Sequence, residues 1–394
     1  MRAIISVITL SLLLSVSTAT SAERTDFDKI NTQVIALYIH GNYNKALLLA
    51  EESLKIAEQN FGSKHPNTAK SLNNLALLCK TTGKYKDADK YYQHALKIKQ
   101  KHYGPDHPIT VTTINNIAEL AKAQSQYDRA QSLLAHALAI REKQFGPDHP
   151  KVAISLNNLA GIYLVRSDFN KAKKLYERAL RIITTAYGEN HPNAIPTMNN
   201  LARVHIAKED FAPAEPLLIH AVIITEKAFG SDHPDLAGPL TNLSALYQKT
   251  KKLDQAEKLC KRALAIREKT FAPDHPGIAE SLNNLGSIYQ RRSQSSQAQA
   301  CYEKAMKIWK TSLGSRHPLT ATAMNNLATI YSDRREYERA IDLFKDALKI
   351  KERSLPPNHP EIIDTLENMA QCYANTGDIK NARKTRLRIE KLTP

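Results

Sequence analysis

Cysteine is scarce in this sequence. Only 4 of its 394 residues are cysteines, and Cys79, Cys260, Cys301 and Cys372 form neither a CxxC pair nor a spacing typical of a metal site. Cys260 and Cys301 both lie in segments of helical periodicity. Packed helices lie roughly 8–10 Å apart, beyond the Cα separation of about 4.4–6.8 Å that a disulfide requires. We therefore predict that the chain forms no disulfide.

The short motifs that accompany catalysis are also absent. The sequence contains no P-loop, no HExxH zinc helix, no GxSxG nucleophile turn and no glycine-rich turn after a strand. We therefore expect no catalytic residue, no metal site, no cofactor and no small-molecule substrate. The protein is predicted not to be an enzyme.

A long hydrophobic run is missing as well. The one apolar stretch, from Ala3 to Val16, is too short to span a bilayer comfortably. It follows an arginine and precedes small residues, which is the pattern of a secretory signal peptide. Residues 1–22 are therefore predicted to be a signal peptide, and the mature chain from Glu23 is expected in the periplasm or outside the cell, without a transmembrane span. An uncleaved anchor or a buried N-terminal helix is the alternative.

What the sequence does contain is one repeated segment, whose clearest copy runs from His149 to Asn190. Its first half places Leu156, Leu159, Ala160 and Tyr163 at i, i+3, i+4 and i+7, which predicts a helix, called helix A. After a polar break, a second stripe of the same period predicts helix B. Its members are Phe169, Ala172, Tyr176, Ala179, Leu180 and Ile183. Neither helix is apolar all round, so each must bury its stripe against the other and against the next copy.

A His-Pro dipeptide marks the copies every 42 residues without insertion. The histidines are His65, His107, His149, His191, His233, His275, His317 and His359. This register predicts one solenoid over residues 23–394: an N-terminal cap unit over 23–64, seven full units beginning at 65, 107, 149, 191, 233, 275 and 317, and a C-terminal capping unit over 359–394. Proline suits the first position of a helix, so each histidine is predicted to lie in a capping turn. Pro196 and Pro239 lie a turn or more into helix A and should bend or shorten it.

These residues resemble tetratricopeptide repeats (TPRs). The resemblance rests on the Asn-Leu-Ala and tyrosine pattern of helix A and the Ala-Leu and isoleucine pattern of helix B. The linkers at residues 104–108 and 146–150, the segment 261–269 and Glu215-Pro216-Leu217 are similar to the kinesin-light-chain subclass. The resemblance implies an all-α, right-handed superhelical solenoid of about nine antiparallel helix pairs. Unlike a kinesin light chain, this sequence has a leader and no heptad coiled coil before the repeats, so a motor role does not follow.

Two asparagines follow each other in helix A. The second is present in all eight copies and is interpreted as a partly buried structural amide. The first lies about 100° from the core stripe, on the line that faces the concave surface in TPR proteins. By resemblance to kinesin light chains, the first asparagines are predicted to hold the backbone of an extended peptide, because an amide offers both a donor and an acceptor. These are Asn73, Asn115, Asn157, Asn199, Asn283 and Asn325. The alternative is that they too are packing residues.

The other positions on this line vary and should set specificity. They are basic near the N-terminal end, apolar in the middle with one arginine, and neutral to acidic near the C-terminal end. The basic residues predicted to line the groove are Lys70, Lys80, Lys122 and Arg203. The formal net charge of +16 indicates a solvated basic face or an attraction to acidic partners. The predicted ligand is an extended segment with an acidic patch beside bulky apolar residues, bound across residues 65–232.

The sequence allows three functions. The first is a scaffold that binds peptide segments of partner proteins in its concave groove. The second is a structural or self-assembly module of the cell envelope. The third, a helical repeat that binds nucleic acid, is disfavoured because an array that reads bases must vary its reading residues from repeat to repeat.

Overall fold

The computed structural model describes residues 21–392, with side chains from residue 26 onward. The predicted signal peptide, residues 1–22, lies outside the described residues except for its last two. The described part contains 18 α-helices and no strand, so the predicted all-α solenoid is confirmed. The helices are α1 Ser21–Ile39, α2 Tyr43–Phe61, α3 Pro66–Thr81, α4 Tyr85–Tyr103, α5 Pro108–Ala123, α6 Tyr127–Phe145, α7 Pro150–Val165, α8 Phe169–Tyr187, α9 Ile195–Ala207, α10 Phe211–Phe229, α11 Ala237–Lys249, α12 Leu253–Thr270, α13 Pro276–Arg291, α14 Ser295–Ser312, α15 Pro318–Asp333, α16 Tyr337–Ser354, α17 Pro360–Asn375 and α18 Ile379–Leu392.

Each odd-numbered helix is an A helix and packs against the even-numbered B helix that follows it. The B helix then packs against the A helix of the next pair, so nine pairs stack in chain order within the described residues. The interface is filled by the predicted stripes. In the fourth pair, α7 and α8, five residues of these stripes are completely buried: Leu156, Ala160, Ala172, Tyr176 and Ala179. The small alanines let the two helices approach closely, and the tyrosine fills the space beside them.

The repeated histidines are helix caps, as predicted. Each of the eight is the residue before an N-terminal proline, and its Nδ1 accepts a hydrogen bond from the backbone N–H two residues later, as at His149 and Lys151 (3.1 Å). In six turns the imidazole also stacks on the aromatic residue at the end of the preceding B helix, for example Phe145 at a centroid distance of 5.0 Å. Both contacts fix the connection between consecutive pairs.

Two central A helices are shorter than the others. A 3₁₀ turn, Pro192–Ala194, precedes α9, and a second one, Pro234–Leu236, precedes α11. These two helices have 13 residues, whereas α7 has 16. The predicted shortening at Pro196 and Pro239 is confirmed. A proline has no N–H, so Pro196 and Pro239 cannot donate the α-helical hydrogen bond to the carbonyl four residues earlier, at Pro192 and Asp235.

A buried basic side chain ties many B helices to the next A helix. Arg267 in α12 donates to Gly277 O (2.9 Å) and Ser281 Oγ (2.7 Å) in α13. The equivalent contacts are Lys99 to Thr113, Arg141 to Ser155 and Lys351 to Thr365. Where the next helix has alanine at the hydroxyl position, Ala323, the basic residue is replaced by Trp309, which is 2% exposed. At this level both positions, 14 residues apart, differ from the Arg267–Ser281 pair.

The array curves toward its A helices. Contacts join α1 to α3, α3 to α5, α7 to α9, α9 to α11, α11 to α13 and α15 to α17, whereas successive B helices in the described residues make no comparable contact. A helices that lie closer together than B helices place the A helices on the inside of the curve. The concave surface is therefore the exposed face of the A helices.

Candidate functional site: the concave face of the A helices

The first asparagine is present in six of the eight repeats, on the A helices, and it is not a free side chain at every level. Asn73 Oδ1 accepts from Asn116 Nδ2 (3.1 Å), and Asn283 Oδ1 accepts from Asn326 Nδ2 (2.9 Å). The second asparagine of one repeat thus binds the first asparagine of the repeat before it. The second asparagine is thus a structural amide, and at these two levels its partner is the side chain of the first asparagine in the preceding repeat. The bond still leaves the Nδ2 group of Asn73 and Asn283 as a donor.

Threonine takes over this contact at two other levels. Asn325 Oδ1 accepts from Thr365 Oγ1 (2.9 Å), and Asn157 Nδ2 donates to Thr197 Oγ1 (2.6 Å) and to Ala153 O (3.2 Å). The two threonines were not among the predicted site residues. The sequence carries a sign of this contact, because Thr197 and Thr365 each lie six residues after the capping histidine of their repeat.

The three central asparagines differ from the rest. The Oδ1 atoms of Asn115, Asn157 and Asn199 are buried, and none has a hydrogen-bond partner in the described part of the chain. Asn115 is 8% exposed and Asn199 is 9% exposed. A buried acceptor without a donor costs about 1–3 kcal/mol. Three consecutive repeats therefore carry, at the equivalent position of helix A, a buried amide oxygen without a donor in the described residues.

Arg203 lies one turn after Asn199 on α9. It is half-buried, and its Nη1 group has no hydrogen-bond partner among the described residues. A buried guanidinium nitrogen that lacks an acceptor is as costly as an unpaired carbonyl, and its preferred partner is a carboxylate. The concave face thus carries unpaired acceptors and an unpaired cationic donor within the same stretch, α5 to α9.

The three lysines predicted to line the groove have different surroundings. Lys70 binds Asp28 of the preceding repeat (3.2 Å), and Lys122 binds Glu119 one turn earlier (2.6 Å). Lys80 forms no salt bridge within the described residues. Burial, with repulsion from Lys122 added and attraction to Glu119 opposing, lowers the pKa of Lys80. Of the four predicted basic residues, Lys80 and Arg203 have charge that is not offset by an ion pair.

The apolar middle of the groove is only partly accessible. Ile154 is 48% exposed and Ile206 is half-buried, whereas Leu164 is 9% exposed and belongs to the core between α7 and α9. Ile154 and Ile206 are therefore the apolar side chains that a segment lying on this face would contact.

No three metal-ligating side chains converge anywhere in the described residues. The capping histidines use Nδ1 for the helix N-terminus, and the four cysteines are buried and unpaired with one another, as predicted. None of the described helices is long and apolar enough to cross a bilayer.

The pattern of the tetratricopeptide repeat matches residues 31–101, 81–143, 109–182, 152–227, 235–311 and 288–353. The chain belongs to the tetratricopeptide repeat family. This confirms the family that the sequence resembled. A comparison with curated protein sequences finds no match.

Several solved structures are similar to this chain. The Rap protein complexed with Competence and Sporulation Factor is 14% identical with a TM-score of 0.54, covering 93% of this chain and 99% of that chain. BtubC (BKLC) from P. vanneervenii is 22% identical with a TM-score of 0.49, and the match covers 58% of this chain and 90% of that chain. A putative kinesin light chain from Podosopora anserina, with nearly identical TPR-like repeats, is 25% identical with a TM-score of 0.44, covering 51% and 96%. At these identities the likeness concerns the fold.

Proposed function

We propose that this TPR protein binds an extended polypeptide segment of a partner protein on the concave face of α5, α7 and α9. TPR arrays are scaffolds for protein–protein interaction, and that general role follows from the family. The observation that carries the finer proposal is the line of three buried amide oxygens, on Asn115, Asn157 and Asn199, that lack donors. The protein acts by binding and not by catalysis.

The chemistry of an extended peptide suits this line. Its backbone N–H groups are donors that repeat regularly and do not depend on side chains, so they can pair with the Oδ1 atoms once the three buried amides turn toward the concave face. Each pair formed would contribute about 0.5–1.5 kcal/mol and would also relieve the cost of a buried acceptor. At Asn73, Asn283 and Asn325 one acceptor site of Oδ1 already holds the next repeat, and the Nδ2 group can donate to a peptide carbonyl.

Selectivity is proposed to come from Arg203 and Lys80 together with the apolar side chains of Ile154 and Ile206. A carboxylate can pair with the unpartnered Nη1 of Arg203, and a second one can approach Lys80. Bulky apolar residues can cover the isoleucines. The ligand is therefore an acidic segment with apolar anchors, in keeping with the strongly basic chain.

Peptide display against residues 23–394 tests the proposal. We expect the enriched peptides to be acidic and apolar, and we expect the combined Asn115→Ala, Asn157→Ala and Asn199→Ala variant to bind the best of them at least tenfold more weakly by fluorescence anisotropy. Asn170→Ala is the matched control, because Asn170 is an exposed asparagine on the B helix α8. Arg203→Gln should remove the preference for acidic peptides. The proposed site would be rejected if the unmodified protein, the triple asparagine variant and Asn170→Ala bound the peptide with equal affinity and had unchanged thermal melts.

We also propose that the chain is exported and that residues 1–22 are removed. The support is the short apolar run followed by small residues. Intact mass spectrometry of the protein recovered from the exporting cell should give a chain that begins near Glu23. A mass that still includes residues 1–22 would reject the cleavage.

A further inference from the structure

The first two helix pairs touch the seventh and eighth pairs, although they are far apart in sequence. The Nε2 of His275, in the turn before α13, lies 3.2 Å from Ile39 O at the end of α1, across 236 residues. The ring of His317, before α15, hydrogen-bonds to the backbone of Thr81 at the end of α3. The same contact is thus made twice, one repeat apart. We call these contacts the seam: Ile39, Gly41, Thr81 and Gly83 on one side, and His275, Pro276, His317 and Pro318 on the other.

The glycines of the first two turns lie against the opposite side of the seam, most closely at Gly41. The turn between helices A and B contains a residue with positive φ in every pair, and in six pairs that residue is not glycine, for example Ser125 (57°) and Arg335 (64°). Backbone conformation alone therefore does not demand glycine here. At Gly41, however, a Cβ would lie 2.7 Å from His275 Cδ2 and 2.8 Å from Pro276 Cδ, so any other residue would require the seam to shift. At Gly83 a Cβ would lie 3.5 Å from His317 Cδ2, which is an ordinary contact distance and shows that the two sides also meet there.

The apolar core gives independent support. The largest buried cluster contains residues of the first three pairs, such as Val34 and Leu75, and residues of the fifth to ninth pairs, such as Leu243 and Leu327. None of its members belongs to the fourth pair, α7 and α8, whose buried residues form separate clusters. Residues from both sides of the seam therefore belong to one buried cluster.

Burial at the seam also alters the two histidines. Loss of solvent, opposed in part by the backbone hydrogen bonds to Ile39 and Thr81, lowers the pKa of His275 and of His317 to about 4. Both side chains are neutral at neutral pH, which leaves Nδ1 free to cap its own helix while Nε2–H donates across the seam.

We propose that the array closes on itself through this seam, so that the concave face is an axial channel that admits polypeptide segments with a free chain end and excludes internal loops of folded partners. The seam joins pairs that are six apart along the chain, so the second turn of the superhelix meets the first there. A segment reaches Asn115, Asn157 and Asn199 only along the axis unless the seam opens. The class of ligand in this inference rests on the proposed function, whereas the closure itself does not.

Closure can be tested without a ligand. His40 and Asp274 are exposed and flank His275 on the two sides of the seam. The pair His40→Cys with Asp274→Cys should be joined rapidly by a short bifunctional maleimide, because the four native cysteines are buried. The matched control is His40→Cys with Asp232→Cys, the equivalent position one repeat earlier. Cross-linking of the first pair alone is expected. No cross-linking of that pair, or equal cross-linking of both pairs, would overturn the closure.

The ligand class is tested with a linear peptide enriched by display and with the same peptide placed between two folded domains. We expect the flanked peptide to bind the unmodified protein at least tenfold more weakly than the linear one, and we expect the Gly41→Glu and Gly83→Glu variant to lose most of this difference. Gly377→Glu is the control, because Gly377 has the same turn conformation and nothing within 4 Å of its added Cβ.

Equal binding of both peptides to the unmodified protein would overturn the channel. If the linear peptide also fails to bind, the proposed function and the ligand class are both rejected, and the cross-link alone decides on the seam. A Gly83→Glu single variant, with the milder contact, serves if the double variant does not fold.

Discussion

The repeated histidines show how a residue that suggests a ligand becomes a structural one. Their spacing and the following proline predicted a capping turn, and the Nδ1 contacts confirm it. What the sequence did not show is that His275 and His317 also bridge two turns of the superhelix. That contact depends on how many pairs complete a turn. No local pattern encodes this number.

The two seam histidines predict a pH dependence of stability. Their folded pKa is lowered by burial to about 4, whereas an unfolded histidine titrates near about 6.5. Between these pH values only the unfolded chain binds the protons. The free energy of unfolding is therefore highest above about pH 6.5 and falls as the pH drops toward about 4. The loss is at most about 3 kcal/mol per histidine.

Urea unfolding from pH 7 to pH 4 measures this slope. The variant His275→Asn with His317→Asn keeps a side-chain acceptor at both caps but has nothing to titrate in this window. Its slope should be shallower than that of the unmodified protein, while the carboxylates contribute equally to both. Identical slopes would contradict the assignment.

The buried basic residues between repeats predict energetic coupling. Arg267 and Ser281 form one such contact, and the chain itself offers an alternative pair at the equivalent positions, Trp309 and Ala323. Arg267→Trp and Ser281→Ala should each destabilise the fold by about 2 kcal/mol. The double variant should be more stable than the sum of the single effects implies, by at least about 1 kcal/mol in a double-mutant cycle of denaturant unfolding. Simple additivity would show that the two positions do not depend on each other.

The lysines of the groove make a prediction about ligand binding. Lys80 has no ion-pair partner in the described residues, whereas Lys122 is held by Glu119 at 2.6 Å. Lys80→Glu should weaken a display-selected acidic peptide by about 1 kcal/mol or more and reduce the dependence of binding on salt. Lys122→Glu should have the smaller effect on affinity. Peptide-binding titrations of both variants at two ionic strengths measure these effects. A larger loss of affinity in Lys122→Glu than in Lys80→Glu would argue against Lys80 as a contact.

Helices were the part of this structure that the sequence predicted best. Apolar residues at i, i+3, i+4 and i+7 located both helices of a repeat, and Pro196 and Pro239 marked the two that start late. The partners of the asparagines were not predictable in the same way. Asn73 Oδ1 is held by Asn116, whereas Asn115 Oδ1 has no partner in the described residues. The local sequence is nearly identical at both levels.

Two glycines inside A helices give a test of packing between the helices of a pair. At Gly286 a Cβ would lie 2.7 Å from the ring of Tyr302, a buried side chain, whereas at Gly161 the nearest atom is Tyr176 Oη at 3.5 Å. Gly286→Ala should therefore destabilise the fold by about 1–3 kcal/mol despite the better helix propensity of alanine. Gly161→Ala should be neutral or stabilising by up to about 1 kcal/mol. Thermal melts of the two variants provide the comparison, and a stabilised Gly286→Ala would show that Tyr302 can move.

The whole molecule follows from the repetition of one unit, yet two of its properties arise only from the stack. The concave face gathers side chains from several repeats, and its unpaired atoms are confined to α5 through α9. The seam brings together residues separated by 236 positions. Sequence periodicity indicated that the concave line exists. It could not show that the central part is the part with unsatisfied hydrogen-bonding groups, or that the superhelix closes after six pairs.

The most direct test of the peptide groove uses a photoreactive amino acid at two isoleucines of similar exposure. Ile154, on the concave face of α7, is 48% exposed, and Ile223, on the B helix α10, is 53% exposed. With p-benzoylphenylalanine at each position in turn, a peptide selected by display should cross-link to the protein labelled at 154 and not to the one labelled at 223. Cross-linking at 223 alone, or equally at both, would contradict a binding site on the concave face.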